Sequence, residues 1–169
     1  MNASTDPVRA ASPADLPQIV EIYNQAIRSF QSTAHMTPLT VAQRRDWFDS
    51  HTPRTYPLWV FAQGDQVLGW CSLSPYRAGR EALRFTAEIS YYVHEDARRR
   101  GVATALIAHA LGAAPNLGLK TVFAILVDIN RPSIAILEKF HFTTWGHLPA
   151  VADFHGQEYG QLYLGLRVA

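Results

Sequence analysis

His94-Glu95-Asp96-Ala97-Arg98-Arg99-Arg100-Gly101-Val102-Ala103-Thr104-Ala105-Leu106 begins as a polar turn and ends as an apolar helix. Residues 83–93, just before it, alternate as a strand does, with Phe85, Ala87, Ile89, Tyr91 and Val93 on one face and Thr86, Glu88, Ser90 and Tyr92 on the other. Beyond Gly101, the stripe of Val102, Leu106 and Ala110 predicts a helix to about Ala113, and after Gly118 residues 121–127 read as another strand. A strand, a helix and a strand in this order give neighbouring parallel strands joined by a right-handed crossover.

The rest of the chain adds to both ends of this unit. Upstream, Val8-Arg9-Ala10 is a short strand candidate, and Ser12-Pro13-Ala14-Asp15 is a helix start with a cap, a proline and an acidic residue in the first turn. Ile19, Ile22, Tyr23, Ala26, Ile27 and Phe30 supply that helix with a buried face, and Thr40-Val41-Ala42-Gln43 opens a second, short helix before Trp47 and Phe48. Residues 58–63 and 66–73 flank Gly64-Asp65 as an antiparallel hairpin. Downstream, Asn130-Arg131-Pro132-Ser133 opens a helix through Phe140, and residues 161–168 alternate as a last strand. The sum is an α/β domain, a mixed sheet with helices on both faces.

Length and composition agree with one domain. The chain has 169 residues, 48% of them hydrophobic and 17% charged, which suits a single buried core. Its formal net charge of +1 argues against a nucleic-acid or membrane-surface partner, so the local cluster Arg98-Arg99-Arg100 needs its own explanation. One cysteine, Cys71, excludes an internal disulfide and reads as a small core hydrophobe. No stretch approaches the ~20 apolar residues of a spanning helix. Residues 1–6 lack the basic and apolar run of a leader, so the cytoplasm is the expected compartment. No His or carboxylate spacing completes a metal-ligand set, and no metal is expected.

A small residue at 101 and at 103 allows close approach to the backbone, and the first-turn amides of a helix are donors without partners. With the guanidiniums of Arg98, Arg99 and Arg100 they read as a pyrophosphate cradle; a solvated basic turn before a tightly packed helix is the other reading. The segment lacks the phosphate loop of nucleoside triphosphatases and the glycine pattern of dinucleotide folds. Its Arg-x-x-Gly-x-Ala form after a strand resembles the signature of the GNAT N-acetyltransferases, which wraps the pyrophosphate of acetyl-CoA. The stretches of residues 10–24, of residues 86–94 (TAEISYYVH) and of residues 130–142 (NRPSIAILEKFHF) resemble the phosphinothricin acetyltransferase branch in order and spacing, from about residue 8 to residue 168.

That resemblance implies a mostly antiparallel mixed sheet in which two parallel strands splay around acetyl-CoA, with the whole chain as one acetyltransferase domain. It implies that backbone near Tyr92 and Val93 holds the thioester and that Arg98, Arg99, Arg100, Gly101, Val102, Ala103 and Thr104 hold the diphosphate. Asn130 and Ser133 would complete the cofactor cleft. Glu88 is the expected base, because an amine is mostly protonated at neutral pH and must lose a proton before it attacks; a structural pair with Arg77 or Arg84 is the alternative. Arg77 and Arg84 are candidates for a substrate carboxylate, or solvated charges. Phe30, Thr33, Tyr76 and His155 are candidates for the acceptor pocket, as is Tyr92 for its wall, with core packing or loop exposure as the plain alternatives.

The resemblance further implies acetylation of a small amino-acid-like amine and a homodimer, for which the apolar strand of Leu162, Leu164, Leu166 and Val168 is either interface or core. Acetylation of a protein or peptide amine and a noncatalytic acyl-CoA-binding module are the competing readings. Three departures from the branch stand out. Leu137 occupies the place of a tyrosine acid, His141 that of a glycine, and Tyr159 and Gln161 those of a tryptophan and an aspartate. His141 and His155 are the remaining candidates for the missing acid.

Overall fold

A computed structural model describes residues 7–169; Met1 to Asp6, read above for a leader, lie outside the described residues. Strand β1 (Val8–Ala10) is followed by helices α1 (Leu16–Ser29) and α2 (Val41–Asp49), then by β2 (Leu58–Gln63), β3 (Gln66–Pro75) and β4 (Thr86–Val93). Helix α3 (Val102–Ala113), strand β5 (Thr121–Val127), helix α4 (Arg131–Lys139) and strands β6 (Thr143–Phe154) and β7 (Gln157–Arg167) complete the chain. The sheet order is β1-β2-β3-β4-β5-β7-β6. Among the described residues only β4 and β5 run parallel; every other neighbouring pair is antiparallel.

Two apolar layers hold this sheet. Ile19, Ile22, Tyr23 and Ile27 of α1 and Phe48 of α2 pack on Leu58, Val60, Val67 and Trp70. On the opposite face, Val102, Leu106, Ile107 and Ala110 of α3 and Leu137 of α4 cover Cys71, Leu73, Ala87, Ile89, Val122, Ala124 and Leu164. The expected mixed sheet with helices on both faces is therefore the observed one. Leu164 is buried in the second layer, with Leu166 and Val168 against it, so these side chains of the last strand belong to the core and not to an open face.

Polar clamps set the first helix against the strands. Gln18 accepts a bond from the Val67 amide and donates to the Asp65 carbonyl, which ties α1 to the β2–β3 turn. Asn24 exchanges two 2.8 Å bonds with the Leu39 backbone and so fixes the approach to α2. The Ser12 amide and hydroxyl both donate to Asp15, which also receives a bidentate pair from Arg9. The helix start thus lies within the expected motif, although Pro13–Asp15 forms a 3-10 turn before the α-helix proper.

Two strand starts and one whole strand differ most from the sequence expectation. The fourth strand begins at Thr86, not at residue 83, because Glu81–Leu83 is a 3-10 turn and Phe85 instead offers its carbonyl to the Lys120 and Thr121 amides. The last strand begins at Gln157, four residues early. A whole strand, β6, was not anticipated. Its side chains are exposed at nearly every position, so it carries no burial period to read, and its pairing with β7 is twice irregular. No helix among the described residues is long and apolar enough to cross a membrane.

Candidate active site

The parallel pair β4–β5 is joined only at Thr86↔Thr121, Ala87↔Val122 and Glu88↔Phe123. Beyond that point β4 continues on β3 as far as Val93, and β5 continues on β7 as far as Val127. Each strand is held on its outer edge while the inner edges diverge, so their inward amides and carbonyls have no ladder partner. The result is a cleft of about 500 Å³ lined by Glu88 to Val93, by Ile125 and Leu126, and by the entries to α3 and α4. An extended ligand arm with amide groups would fill it as an added strand does.

One end of the cleft is the turn into α3. Arg98 is extended, Arg99 has φ 62° and Gly101 has φ 79°, so the chain reverses tightly before Val102. A Cβ at position 101 would meet nothing within 4 Å, so glycine serves the backbone conformation there and not packing. The first intrahelical bond runs from the Ala105 amide to the Gly101 carbonyl, leaving the amides of residues 102–104 as first-turn donors. Gln25 of α1 steadies the turn: its side-chain oxygen accepts from the Glu95 amide at 3.0 Å and its nitrogen lies 3.2 Å from His94 Nε2. Sequence reasoning missed this clamp, since its partners, Glu95 and His94, lie about 70 residues along the chain from Gln25.

Arg98, Arg99, Gly101, Val102, Ala103 and Thr104 line the cleft; Arg100 is exposed and does not. Tyr92, Val93, Asn130 and Ser133 line it as well. Asn130 is the N-cap of α4, its side-chain oxygen accepting from the Ser133 amide at 3.3 Å, which leaves its Nδ2 hydrogens for a ligand. Residues of α1 and the following loop, among them Ala26, Ser29 and Ser32, close the near wall and were not foreseen.

Glu88 stands where the strands part. It is partly buried, takes part in no ion pair among the described residues, and burial holds its carboxyl above the usual carboxylate range. The pairing with Arg77 or Arg84 that the sequence left open does not form. Arg77 is exposed, 5.6 Å from the Tyr76 ring, and Arg84 is exposed over Phe85 at 4.2 Å while donating to the Glu81 carbonyl. Neither lines the cleft.

The other acceptor candidates separate into three groups. Thr33 is buried under Tyr92, with the Tyr23 hydroxyl 2.8 Å from its Oγ1 and 2.5 Å from His35 Nδ1. Phe30, at the left-handed end of α1, meets the ring of His155 at 5.7 Å and that of Phe154 at 6.2 Å, so α1 touches the β6–β7 turn. Tyr76 packs on Phe123 at 5.0 Å and does not line the cleft. His141 and His155 are exposed with positive φ, and neither enters the cleft. The value of 65° at His141 lies in the left-handed region that favours glycine.

Tyr91 is a cleft residue that sequence reasoning had left on the oily face. Its hydroxyl is buried against the start of α4 beside Ser133, has no well-formed hydrogen bond, and burial raises its pKa. An unanswered buried hydroxyl in a cleft wall suits an amide or thiol group of a bound arm. Tyr91→Phe should therefore raise the melting temperature of the free protein slightly, because an unpaired polar atom is removed. The same change should weaken coenzyme A binding several-fold by calorimetry; equal affinity would show that the hydroxyl meets no ligand atom.

A family model, the acetyltransferase (GNAT) domain, matches residues 8–143. The chain belongs to the GNAT acetyltransferase family. Its similarity to YwnH of Bacillus subtilis (strain 168) is 38% identity over 159 residues, 94% of this chain and 96% of that one. An L-methionine sulfoximine/L-methionine sulfone acetyltransferase of Pseudomonas aeruginosa is 33% identical over 155 residues, covering 91% of this chain and 87% of the relative. Among solved structures, a GNAT superfamily phosphinothricin acetyltransferase from Sinorhizobium meliloti in complex with acetyl-CoA has a TM-score of 0.89 at 28% identity, covering 95% of this chain and 86% of that one. The splayed pair, the tight turn and the α3 amides of this GNAT chain fit a diphosphate with an amide-bearing arm. Among the described residues, no three metal-ligating side chains converge.

Proposed function

We propose that this chain transfers the acetyl group of acetyl-CoA directly to the primary amine of a small, amino-acid-like acceptor. The observation that carries the reading is that the β4–β5 ladder stops at Glu88↔Phe123. The gap opened there has phosphate-type donors at one end and an unpaired carboxylate at the other. The diphosphate of acetyl-CoA meets the α3 amides with Arg98 and Arg99, and its arm runs along the free edges of β4 and β5. The thioester then arrives between Tyr92 and Glu88.

Glu88 accepts a proton from the acceptor's ammonium group, directly or through one water. The freed amine attacks the thioester carbon, the C–N bond forms, the C–S bond breaks, and coenzyme A leaves as a thiolate that takes up the second proton, lost by the attacking nitrogen. A β4 backbone amide near Tyr92 or Val93 polarises the carbonyl oxygen. The rest is positioning, since a thioester is already activated. The relatives named for phosphinothricin and for methionine sulfone or sulfoximine support an acceptor of that size, and we propose the cytoplasm as the compartment.

The test is thiol release from acetyl-CoA with amino acids, their sulfone and phosphinate analogues, polyamines and peptides. Turnover of a small amino acid is the expected result. Preference for a peptide would favour a protein acetyltransferase, and coenzyme A binding without turnover of any amine would favour a binding module. We also propose a homodimer, supported by the exposed Trp145, Leu148 and Val151 on the edge strand β6. Light scattering coupled to size exclusion should give twice the chain mass; the mass of one chain would end that proposal.

A further inference from the structure

Side chains along β4 alternate between the two faces of the sheet. Glu88, Ser90 and Tyr92 take the face of α1 and α2, where the Tyr92 ring packs 4.9 Å from both Tyr23 and Trp70. Ala87, Ile89 and Tyr91 take the face of α3 and α4. Tyr91 stands opposite Cys71 of β3 and, like Ser133 at the start of α4, lines the cleft. Among the described residues its hydroxyl is the one buried side-chain polar atom without a hydrogen bond. Few native structures leave such a group unanswered, and in a cleft wall the omission points to a ligand atom or a catalytic task.

The two faces meet at the gap. β4 and β5 part beyond Glu88↔Phe123, so a group lying between their free edges faces Glu88 on one side of the sheet and Tyr91 on the other. The turn that receives the diphosphate leads into α3, on the Tyr91 side. The arm of the cofactor therefore reaches the gap from that side, and the acceptor amine meets the thioester from the side of Glu88. The sulfur, tied to the arm, stays on the Tyr91 side of the carbonyl carbon. Among the cleft-lining residues the other phenol, Tyr92, lies on the Glu88 face, and there is no histidine.

We infer that the Tyr91 hydroxyl donates a hydrogen bond to the coenzyme A sulfur as the C–S bond breaks, so that base and sulfur donor act from opposite faces of one strand. This rests on the acetyltransferase reading above. A thioester sulfur is a weak acceptor and a thiolate a strong one, so the bond strengthens as charge develops and favours the transition state over the bound substrate. Burial raises the Tyr91 pKa, so the phenol keeps its proton. The thiolate takes up the proton lost by the attacking nitrogen, and Tyr91 ends the reaction as it began.

The experiment compares wild type with Tyr91→Phe, which keeps the ring and removes one oxygen. In calorimetry, coenzyme A should bind the variant several-fold more weakly, whereas desulfo-coenzyme A, which lacks the sulfur, should bind both proteins equally. The thiol of bound coenzyme A, followed by thiolate absorbance, should lose its proton at a lower pH in wild type than in the variant, because a donor to sulfur favours the thiolate. The single-turnover rate of acetyl transfer to L-methionine sulfone should fall roughly ten- to a hundredfold, somewhat less than for a donor to a full oxyanion. Equal weakening of both ligands, with the thiol titration unmoved, would overturn the inference and turn the hydroxyl toward an amide of the arm. A wild-type chain that acetylates no amine would overturn the functional reading and the part of Tyr91 in turnover, while the titration of bound thiol reads the contact with sulfur by itself.

Discussion

Glu88→Gln should lower kcat/KM for the amine acceptor by roughly 10²–10⁴-fold at neutral pH, the usual worth of a positioned general base. The loss should shrink as pH rises toward the pKa of the amine, because free amine then reaches the thioester without help. In wild type, burial keeps the Glu88 carboxyl above the ordinary carboxylate range, so the acid limb of the pH profile should lie above that range and vanish in the variant. Stability should move the other way. A carboxyl with a raised folded-state pKa binds more protons folded than unfolded, so its contribution is full below the unfolded pKa and is lost as pH rises through the folded one. Glutamine does not ionise, so Glu88→Gln should melt higher than wild type at pH 7, and the gap should close toward acid pH. Full activity at neutral pH, with the same acid limb, would remove Glu88 from the chemistry.

Gly69→Ala should cost about 1–3 kcal/mol through overpacking, and each kcal/mol lowers the melting temperature of a chain this size by roughly 2–4 °C. Gly69 lies in β3 opposite Val93, under the first turn of α3. An added Cβ would stand 2.7 Å from Val102 Cγ1, 3.0 Å from the Tyr92 carbonyl oxygen and 3.2 Å from Leu106 Cδ1. Val102 is the first residue of α3, so relief by movement shifts the same amides that face the cleft. Coenzyme A affinity should fall at least tenfold with the drop in melting temperature. A variant that binds coenzyme A normally would mean that α3 can yield without disturbing the turn before it.

Much of this site was legible because its chemistry is compressed into consecutive residues. The passage from β4 through Arg98, Arg99 and Gly101 into α3 shows a strand period, a polar turn and an apolar helix within 21 residues, Thr86 to Leu106. Glu88 could be singled out because a charge among aromatics in a strand is costly unless used or paired. Arg77 and Arg84 misled for the complementary reason: nearness in sequence to Glu88 placed them beside it, whereas the 3-10 turn at Glu81–Leu83 carries Arg84 out over Phe85. Tyr91 looked like one more apolar strand residue, since nothing local reveals that its hydroxyl lies unanswered beside Ser133.

Capping residues, burial periods and glycines at turns act over a few neighbouring positions, and from them came the kind and order of nearly all the elements and the cradle at Gly101. Strand β6 escaped because an edge exposed on almost every side chain has no period. Where the β4–β5 ladder ends, which hydroxyl lacks a partner, and that the cation over the Tyr23 ring is Arg44 from α2 are all set by groups distant in the chain. Whether a charge or an amide is satisfied depends on every element packed around it, and that environment exists only once β3, α1 and α2 have closed over the same face.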